Sequence, residues 1–243
     1  MHVIKLNATD STNSYLRKLS NESILADYTV VLAQHQTNGR GQMGTVWSSE
    51  SSKNLTVSVF KDVSKLFLEH PFYISMATSL ALIKTLQSFS ITKLSIKWPN
   101  DILSEDKKIC GVLIENVIKQ NIFKATILGI GLNVNQTYFD DLPRASSLKL
   151  LTGKIFNLDE VLYTMIKYLK YYFMLLRKEE YTFLKQEYES YLFRKDKPST
   201  FKDAEGLVFS GIIKNVSLSG NLQVLVEDDI TKEFDLKDIS LLY

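Results

Sequence analysis

Apolar and polar positions follow two rhythms along this chain, and together they predict a strand-rich first part, then helix, then a run of short strands. Residues 2–6 alternate as a short strand, and Asp10, Ser11, Thr12 and Asn13 supply helix-capping side chains ahead of Tyr15, Leu16 and Leu19. The β-branched run at 29–33 and the apolar run at 55–60 read as strands on either side of a glycine-rich loop. Pro71 suits the first turn of a long helix in which Phe72, Met76, Leu80, Ile83 and Leu86 recur on one face as core. The serines, threonines and Lys84 of that helix argue against a membrane span.

A strand over 94–102 has its end fixed by Pro99, which disfavours helix in the residue before it, and Lys97, Asn100 and Asp101 cluster at its tip. Residues 105–108 read as a hairpin loop, 109–115 as the next strand, Gln120 and Asn121 as a turn, and 122–132 as a further strand. Two glycines inside that last strand, Gly129 and Gly131, imply close approach by a ligand or another backbone, or else a bulge. From Leu158, the positions Val161, Leu162, Met165, Leu169, Phe173 and Leu176 give a helical stripe, and helix is expected to run to about Tyr191, its tyrosines serving as core and rim. Lys195 to Ser199, with Pro198, breaks the helix, and alternating runs at 207–216, 222–226 and 233–236 predict a small β-barrel-like unit. The expected division is therefore a larger α+β domain over residues 1–194 and a β domain over 195–243.

Composition narrows the class. With 243 residues and 45% hydrophobic content, the chain has enough apolar material for one sizeable core and a small second domain. Its 29 basic and 27 acidic residues are well mixed, so no overall field points to nucleic acid or an anionic membrane. One cysteine, Cys110, excludes an internal disulfide framework, and three scattered histidines give no zinc spacing. No signal-peptide pattern opens the chain, and a cytoplasmic enzyme is the expectation.

The candidate chemistry centres on Gln36-Thr37-Asn38-Gly39-Arg40-Gly41-Gln42-Met43-Gly44-Thr45-Val46-Trp47. Glycines at G-x-G-x-x-G spacing allow positive φ and close backbone approach, so N–H groups can face an anion, and Arg40 adds a cationic fork. A dinucleotide fold needs a helix directly after such glycines, yet residues 48–54 have no apolar periodicity. A kinase needs H-R-D and D-F-G, and the chain has neither. Ser11 and Thr12 serve either as helix caps or as hydroxyls for a polar ligand head. Lys97, Asn100 and Asp101 form either a solvated turn or a seat for a magnesium-bound phosphate. Cys110 has no histidine placed in sequence to activate it and reads as small packing.

S-T-N at 11–13, Q-T-x-G-R-G at 36–41, K-W-P-N-D at 97–101, K-x-x-G-x-L-x-E at 108–115 and G-x-G-x-N-x-N at 129–135 occur in order. In this the chain resembles the biotin protein ligases. The resemblance implies a mixed β-sheet with helices packed on one face, followed by an SH3-like barrel. It also implies a two-step reaction: biotin and MgATP give biotinyl-5′-adenylate, and a lysine of a biotin carboxyl carrier domain then attacks it. Two anions must meet in the first step, which calls for cations and N–H donors around them.

By matching motifs, Arg40 and Lys108 would neutralise the carboxylate and the α-phosphate, with the backbone of Gly39, Gly41, Gln42 and Gly44 closing over both. Ser11, Thr12 and Gln36 match the positions that bind the ureido end of biotin, and Gly111, Gly129 and Gly131 would leave room for its rings and tail. Asn133 matches the adenine-reading position, and Trp47 an apolar wall beside the adenylate. Lys97, Asn100 and Asp101 would organise phosphate and Mg2+, and Asp101 would guide the incoming ammonium. The family pattern G-R-G-R-x-G-R is broken by Gln42 and Thr45, so two cations are missing and weaker retention of the adenylate is expected. The chain has no room for the winged helix of the family's repressor members, so no DNA binding is expected; nor is membrane association, while homodimerisation through exposed strands is open. The competing readings are a lipoate or octanoyl protein ligase and a catalytically inactive binder of biotin or its adenylate.

Overall fold

The computed structural model describes residues 2–66, 69–119, 122–140 and 142–243; the expected turn at Gln120 and Asn121 lies outside them. Seven strands make the first sheet: β1 (His2–Thr9), β2 (Thr29–Gln36), β3 (Leu55–Asp62), β4 (Leu94–Lys97), β5 (Asp101–Ser104), β6 (Lys107–Lys119) and β7 (Ile122–Leu132). Their spatial order is β1-β2-β3-β7-β6-β5-β4. Only β1 and β2 are parallel, joined by helix α1 (Thr12–Glu22); every other neighbouring pair is antiparallel. The long strands alternate cleanly. On one face Val30, Val57, Val59, Leu128 and Ile130 enter the main core, while on the other Val31, Ala125 and Ile127 pack under Leu16 of α1.

Helix α2 (Phe72–Ser88) covers the first face with α4 (Leu158–Arg177) and α5 (Tyr181–Ser190). Its apolar stripe is wider than expected: Ala77, Thr78, Ser79 and Ala81 are buried as well as Met76, Leu80, Ile83 and Leu86, because α4 and α5 press on the side away from the sheet. The buried threonines are satisfied within the helix, Thr78 and Thr85 each donating to the carbonyl four residues back at 2.7 Å. The single helix expected over 158–191 is two helices. Glu179 adopts φ of 60° at the break, which turns α5 back onto α2. A short helix, α3 (Leu148–Thr152), has no counterpart in the sequence reading and ends on Gly153 with φ of 74°.

The second sheet is antiparallel and five-stranded, ordered β11-β10-β9-β8-β12, from β8 (Pro198–Asp203), β9 (Val208–Val216), β10 (Leu222–Leu225), β11 (Thr231–Phe234) and β12 (Ile239–Leu242). Its first and last strands lie outside the predicted runs, and β11 lies two residues earlier than expected. Pro198 does more than break a helix: it opens β8, a position where its missing N–H is tolerated.

The 94–102 stretch is a hairpin rather than one strand. The chain reverses through Trp98, Pro99 and Asn100, so Lys97 pairs with Asp101 and Ile96 with Ile102. This turn is gripped from three sides. Tyr188 of α5 donates to the Pro99 carbonyl at 3.0 Å, Asn100 donates its amide N–H to the Val112 carbonyl of β6, and Trp98 Nε1 donates to the Gly220 carbonyl of the second sheet at 2.8 Å. Gly220 has φ of 97°, and an added Cβ there would sit 2.4 Å from the Phe72 ring of α2. Gly220→Ala therefore meets strained backbone and a clash together, and we expect destabilisation of about 1–3 kcal/mol. Urea unfolding measures it; a loss under about 0.5 kcal/mol would show that this contact does not hold the second sheet on the hairpin.

Candidate active site

The face of the sheet opposite α2 carries the candidate site. Helix α1 starts there with Ser11 as its cap, the hydroxyl accepting from Ser14 N–H at 3.5 Å. β2 delivers the glycine loop beside it, and the second sheet closes one side. A cavity of about 360 Å³ lies between these elements, within the size range of small-molecule sites. It is lined by Ser11, Thr12, Gln36, Arg40, Gly41 and Gln42 at the α1 and loop side. Trp47, Lys97, Asn100, Asp101 and Lys108 line it together with Gly111, Gly129 and Gly131. Three of the expected site residues stay outside the lining, namely Gly39, Gly44 and Asn133.

The loop folds as a tight hairpin of its own. Gly41 N–H donates to the Thr45 carbonyl at 2.7 Å, Thr45 N–H to the Gln42 carbonyl at 3.0 Å, and Trp47 N–H to the Gly39 carbonyl at 3.0 Å. Of the backbone donors expected to face an anion, that of Gly41 is spent here. The glycines also differ in purpose from the expectation: only Gly44 has positive φ, 77°, while Gly39 and Gly41 lack side chains because a Cβ would fall 2.2 Å from the Trp47 carbonyl oxygen and 2.3 Å from Thr45 Oγ1. Thr45, which stands where an arginine was expected, donates its hydroxyl to the Gln42 carbonyl at 2.7 Å.

Gly111 and Gly131 face each other across β6 and β7. The space they leave is filled by the Trp47 indole, which would lie 3.1 Å and 2.2 Å from an added Cβ at the two positions. Gly129 makes room for Asn13, whose Oδ1 would lie 2.4 Å from its Cβ. The close approach foreseen at these glycines is thus made by the protein's own side chains. Trp47 Nε1 is buried and finds no acceptor among the described residues, an arrangement that costs about 1–3 kcal/mol.

Both candidate cations rest on carboxylates. Arg40 pairs with Glu115 of β6, and Lys108 Nζ lies 2.9 Å from Asp101 Oδ2 and 5.8 Å from the Trp47 ring centroid. The side chains of Arg40 and Lys108 are 42% and 38% exposed, so each remains reachable from solvent. A register shift between Ile102 and Leu103 puts Leu103 opposite Lys108 and Ile102 opposite Cys110, skipping Ile109. The bulge leaves Ile109 and Cys110 both in the core while Lys108 reaches over Gly111, whose added Cβ would lie 3.4 Å from Nζ. Cys110 is fully buried, and burial pushes its thiol well above the ordinary range.

Two groups with no sequence signal, Arg144 and Tyr243, stand beside the lining residue Lys97. Arg144 lies over the Tyr243 ring at 4.3 Å and Lys97 over the same ring at 4.5 Å. Arg144 comes from irregular chain, where no pattern marks it; its carbonyl accepts from Lys108 N–H at 2.7 Å. Burial pulls the Lys97 ammonium below its ordinary range; Asp101 opposes this, while the like charges of Lys108 and Arg144 add to it. Asn133, expected to read adenine, is buried and donates to the Ser146 carbonyl at 3.0 Å, so it pins the 144–146 segment beside Lys108.

Residues 6–133 match the model of the Biotin/lipoate A/B protein ligase family, more than half of the chain, and the chain belongs to that family. It is 31% identical over 158 residues to the bifunctional ligase/repressor BirA of Bacillus spizizenii, covering 63% of this chain and 48% of that protein. It is 32% identical over 143 residues to the biotin--[acetyl-CoA-carboxylase] ligase of Mycobacterium tuberculosis, covering 58% of this chain and 52% of the relative. The matched segment thus spans about half the length of these curated relatives. Over nearly its full length, 99% of this chain and 98% of the other, it superimposes with TM-score 0.83 and 26% identity on the biotin protein ligase of Aquifex aeolicus solved with biotin and ATP.

The lowered Lys97 pKa has a sign that can be checked. The folded chain holds that proton less tightly than the unfolded chain, so the charged lysine costs stability below its folded pKa, and the cost fades as pH rises to 10.5. Lys97→Met is expected to raise the thermal midpoint at pH 7, with the gain closing toward that pH. A variant less stable than wild type at pH 7 would contradict the burial argument.

Proposed function

We propose that this chain joins biotin to a lysine of a biotin carboxyl carrier domain through biotinyl-5′-adenylate, with ATP as cosubstrate. The observation that carries this is one cavity lined both by Ser11, Thr12 and Gln36, which suit a polar uncharged head, and by Arg40 and Lys108, which suit a carboxylate and a phosphate. In this reading residues 1–194 form the catalytic unit. Residues 195–243 back the cavity with Phe201, Ile213, Leu222, Ile239 and Leu241. The cytoplasm, where ATP and carrier proteins meet, is the compartment this reading assigns.

In the first step a biotin carboxylate oxygen bonds to the α-phosphorus of ATP and the bond to the β-phosphate oxygen breaks, releasing pyrophosphate. Arg40 and Lys108 offset the repulsion between the two anions as they meet. In the second step the carrier lysine arrives as an ammonium and gives one proton to solvent; the neutral amine attacks the acyl carbon, AMP leaves, and the amide nitrogen gives its second proton to solvent. Asp101, the one carboxylate on the cavity wall among the described residues, stands where it attracts that ammonium. A single carboxylate also suits Mg2+ carried in on the phosphates, because such ions keep several waters and take one or two carboxylates. No His, Cys, Asp and Glu cluster able to hold a resident metal occurs among the described residues.

Biotin-dependent exchange of labelled pyrophosphate into ATP tests the first step, with lipoate and octanoate in parallel. Exchange with biotin alone, reduced at least about a hundredfold by Lys108→Ala, is the expected result. Exchange with lipoate or octanoate instead would move the assignment to the lipoate branch, and none with any acid would leave an inactive binder. Gln42→Arg restores a cation to the loop and should slow adenylate dissociation several-fold in a stopped-flow chase; an unchanged rate would mean that the loop's charge does not set retention.

A further inference from the structure

Glu115 closes the K-x-x-G-x-L-x-E motif, yet the reaction as derived gives it no task. Neither it nor Ser58 lines the cavity. Three side chains nonetheless converge on the Glu115 carboxylate, itself 17% exposed. Arg40 Nη2 donates to Oε1, Arg17 Nη2 lies 3.5 Å from the same oxygen, and Asn13 Nδ2 donates to Oε2 at 2.8 Å. From Asn13 the contacts continue inward. Its Oδ1 accepts from Ser58 Oγ at 2.5 Å, Ser58 Oγ is 2.8 Å from Thr12 Oγ1, and Thr12 N–H donates to Gln36 Oε1 at 2.8 Å.

Proton counting gives this chain a direction. The two N–H groups of Asn13 face acceptors, the Glu115 carboxylate and the Leu113 carbonyl at 3.3 Å, so its Oδ1 can only accept. Ser58 has one proton and gives it to that oxygen. The bond between Ser58 and Thr12 must then use the Thr12 proton. The alternative acceptor for that proton, Gln36 Oε1, is farther at 3.1 Å and already served by the Thr12 backbone N–H. Thr12, on the cavity wall, is left offering oxygen lone pairs, which suits a ligand N–H such as that of a cyclic urea. Ser58 and Gly129 stand opposite each other on β3 and β7, and the missing side chain at Gly129 is what lets Asn13 enter between them.

We propose that Glu115 is a positioning residue with two effects. It anchors Arg40 and thereby the glycine loop, and through Asn13 and Ser58 it makes Thr12 an acceptor for a head-group N–H. The inference rests on the ligase reading, and its two halves separate in variants. Glu115→Gln keeps the side-chain shape but turns an amide toward two guanidinium groups. Trypsin should then cut ligand-free protein after Arg40 about fivefold faster, as expected when a loop loses its tether. In pyrophosphate exchange, kcat should fall about tenfold through the loss at Arg40, and KM for biotin should rise several-fold through the loss at Asn13, the order expected for lost charge-assisted hydrogen bonds. In an Arg40→Ala background Glu115→Gln should lower kcat no further. Ser58→Ala should instead raise KM for biotin about tenfold while kcat and cleavage after Arg40 stay at wild-type values. Unchanged cleavage after Arg40 in Glu115→Gln, additive losses with Arg40→Ala, or a Ser58→Ala variant that loses kcat instead of biotin affinity would each overturn the proposal. Wild-type protein without biotin-dependent exchange would sink the ligase reading, and the cleavage rates would still decide whether Glu115 anchors the loop.

Discussion

A β-sheet normally fills both its faces with side chains, and the site depends on a place where this one does not. Gly111 and Gly131 stand opposite each other on β6 and β7, with Gly129 two residues away on the same face. Their missing side chains leave a gap in the wall of the cavity. Trp47 fills it, and because Trp47 ends the glycine loop, its position brings that loop against the sheet. A single methyl group at Gly131 would meet the indole at 2.2 Å, so the empty face, the tryptophan and the loop stand or fall together. The indole N–H has no acceptor among the described residues, so this filling carries a cost.

The charged groups follow a related logic. Arg40 on Glu115 and Lys108 on Asp101 are half-exposed pairs, and pairs of that kind contribute only about 0–1 kcal/mol to stability. They set geometry without holding the fold together, so an incoming anion meets cations already oriented and weakly held. Rigidity is supplied elsewhere, by the turn at 98–100, which Tyr188, the Val112 carbonyl and Gly220 grip from three separate elements. This is why the second sheet reaches the cavity: its Ser217–Asn221 turn completes the hold on Trp98.

Much of this was legible in the chain. Strands β2, β3 and β7 and helices α1, α2 and α4 follow from periodicity, because their alternation or stripe is set by burial on a known face. The break between α4 and α5 was not, since Lys178, Glu179 and Glu180 are ordinary helix residues and only the docking of α5 on α2 forces the left-handed turn at Glu179. Strands β8 and β12 are short and pair with each other across some forty residues, a contact that no local pattern encodes. In the site, the motifs named Arg40, Lys108, Asp101, Thr12 and Gln36, and all five line the cavity. Ser58 and Arg144 carry no motif, and their neighbours are set by tertiary contacts. The glycines were found for a sound reason, close approach, but the approaching group inside the ligand-free fold is a tryptophan or an asparagine. The motif puts Asn133 at the ligand; in the fold it lies outside the cavity lining and donates to the Ser146 carbonyl, beside the backbone that supports Lys108.

A cavity that makes and holds an acyl-adenylate must carry it when no carrier is there to take the acyl group. Native mass spectrometry of the protein mixed with biotin and MgATP, with no carrier present, tests it most directly. The expected result is a complex heavier by the mass of one biotinyl-5′-adenylate per chain, absent when either substrate is omitted. A spectrum holding only ATP, AMP or intact biotin on the protein under those conditions would contradict it.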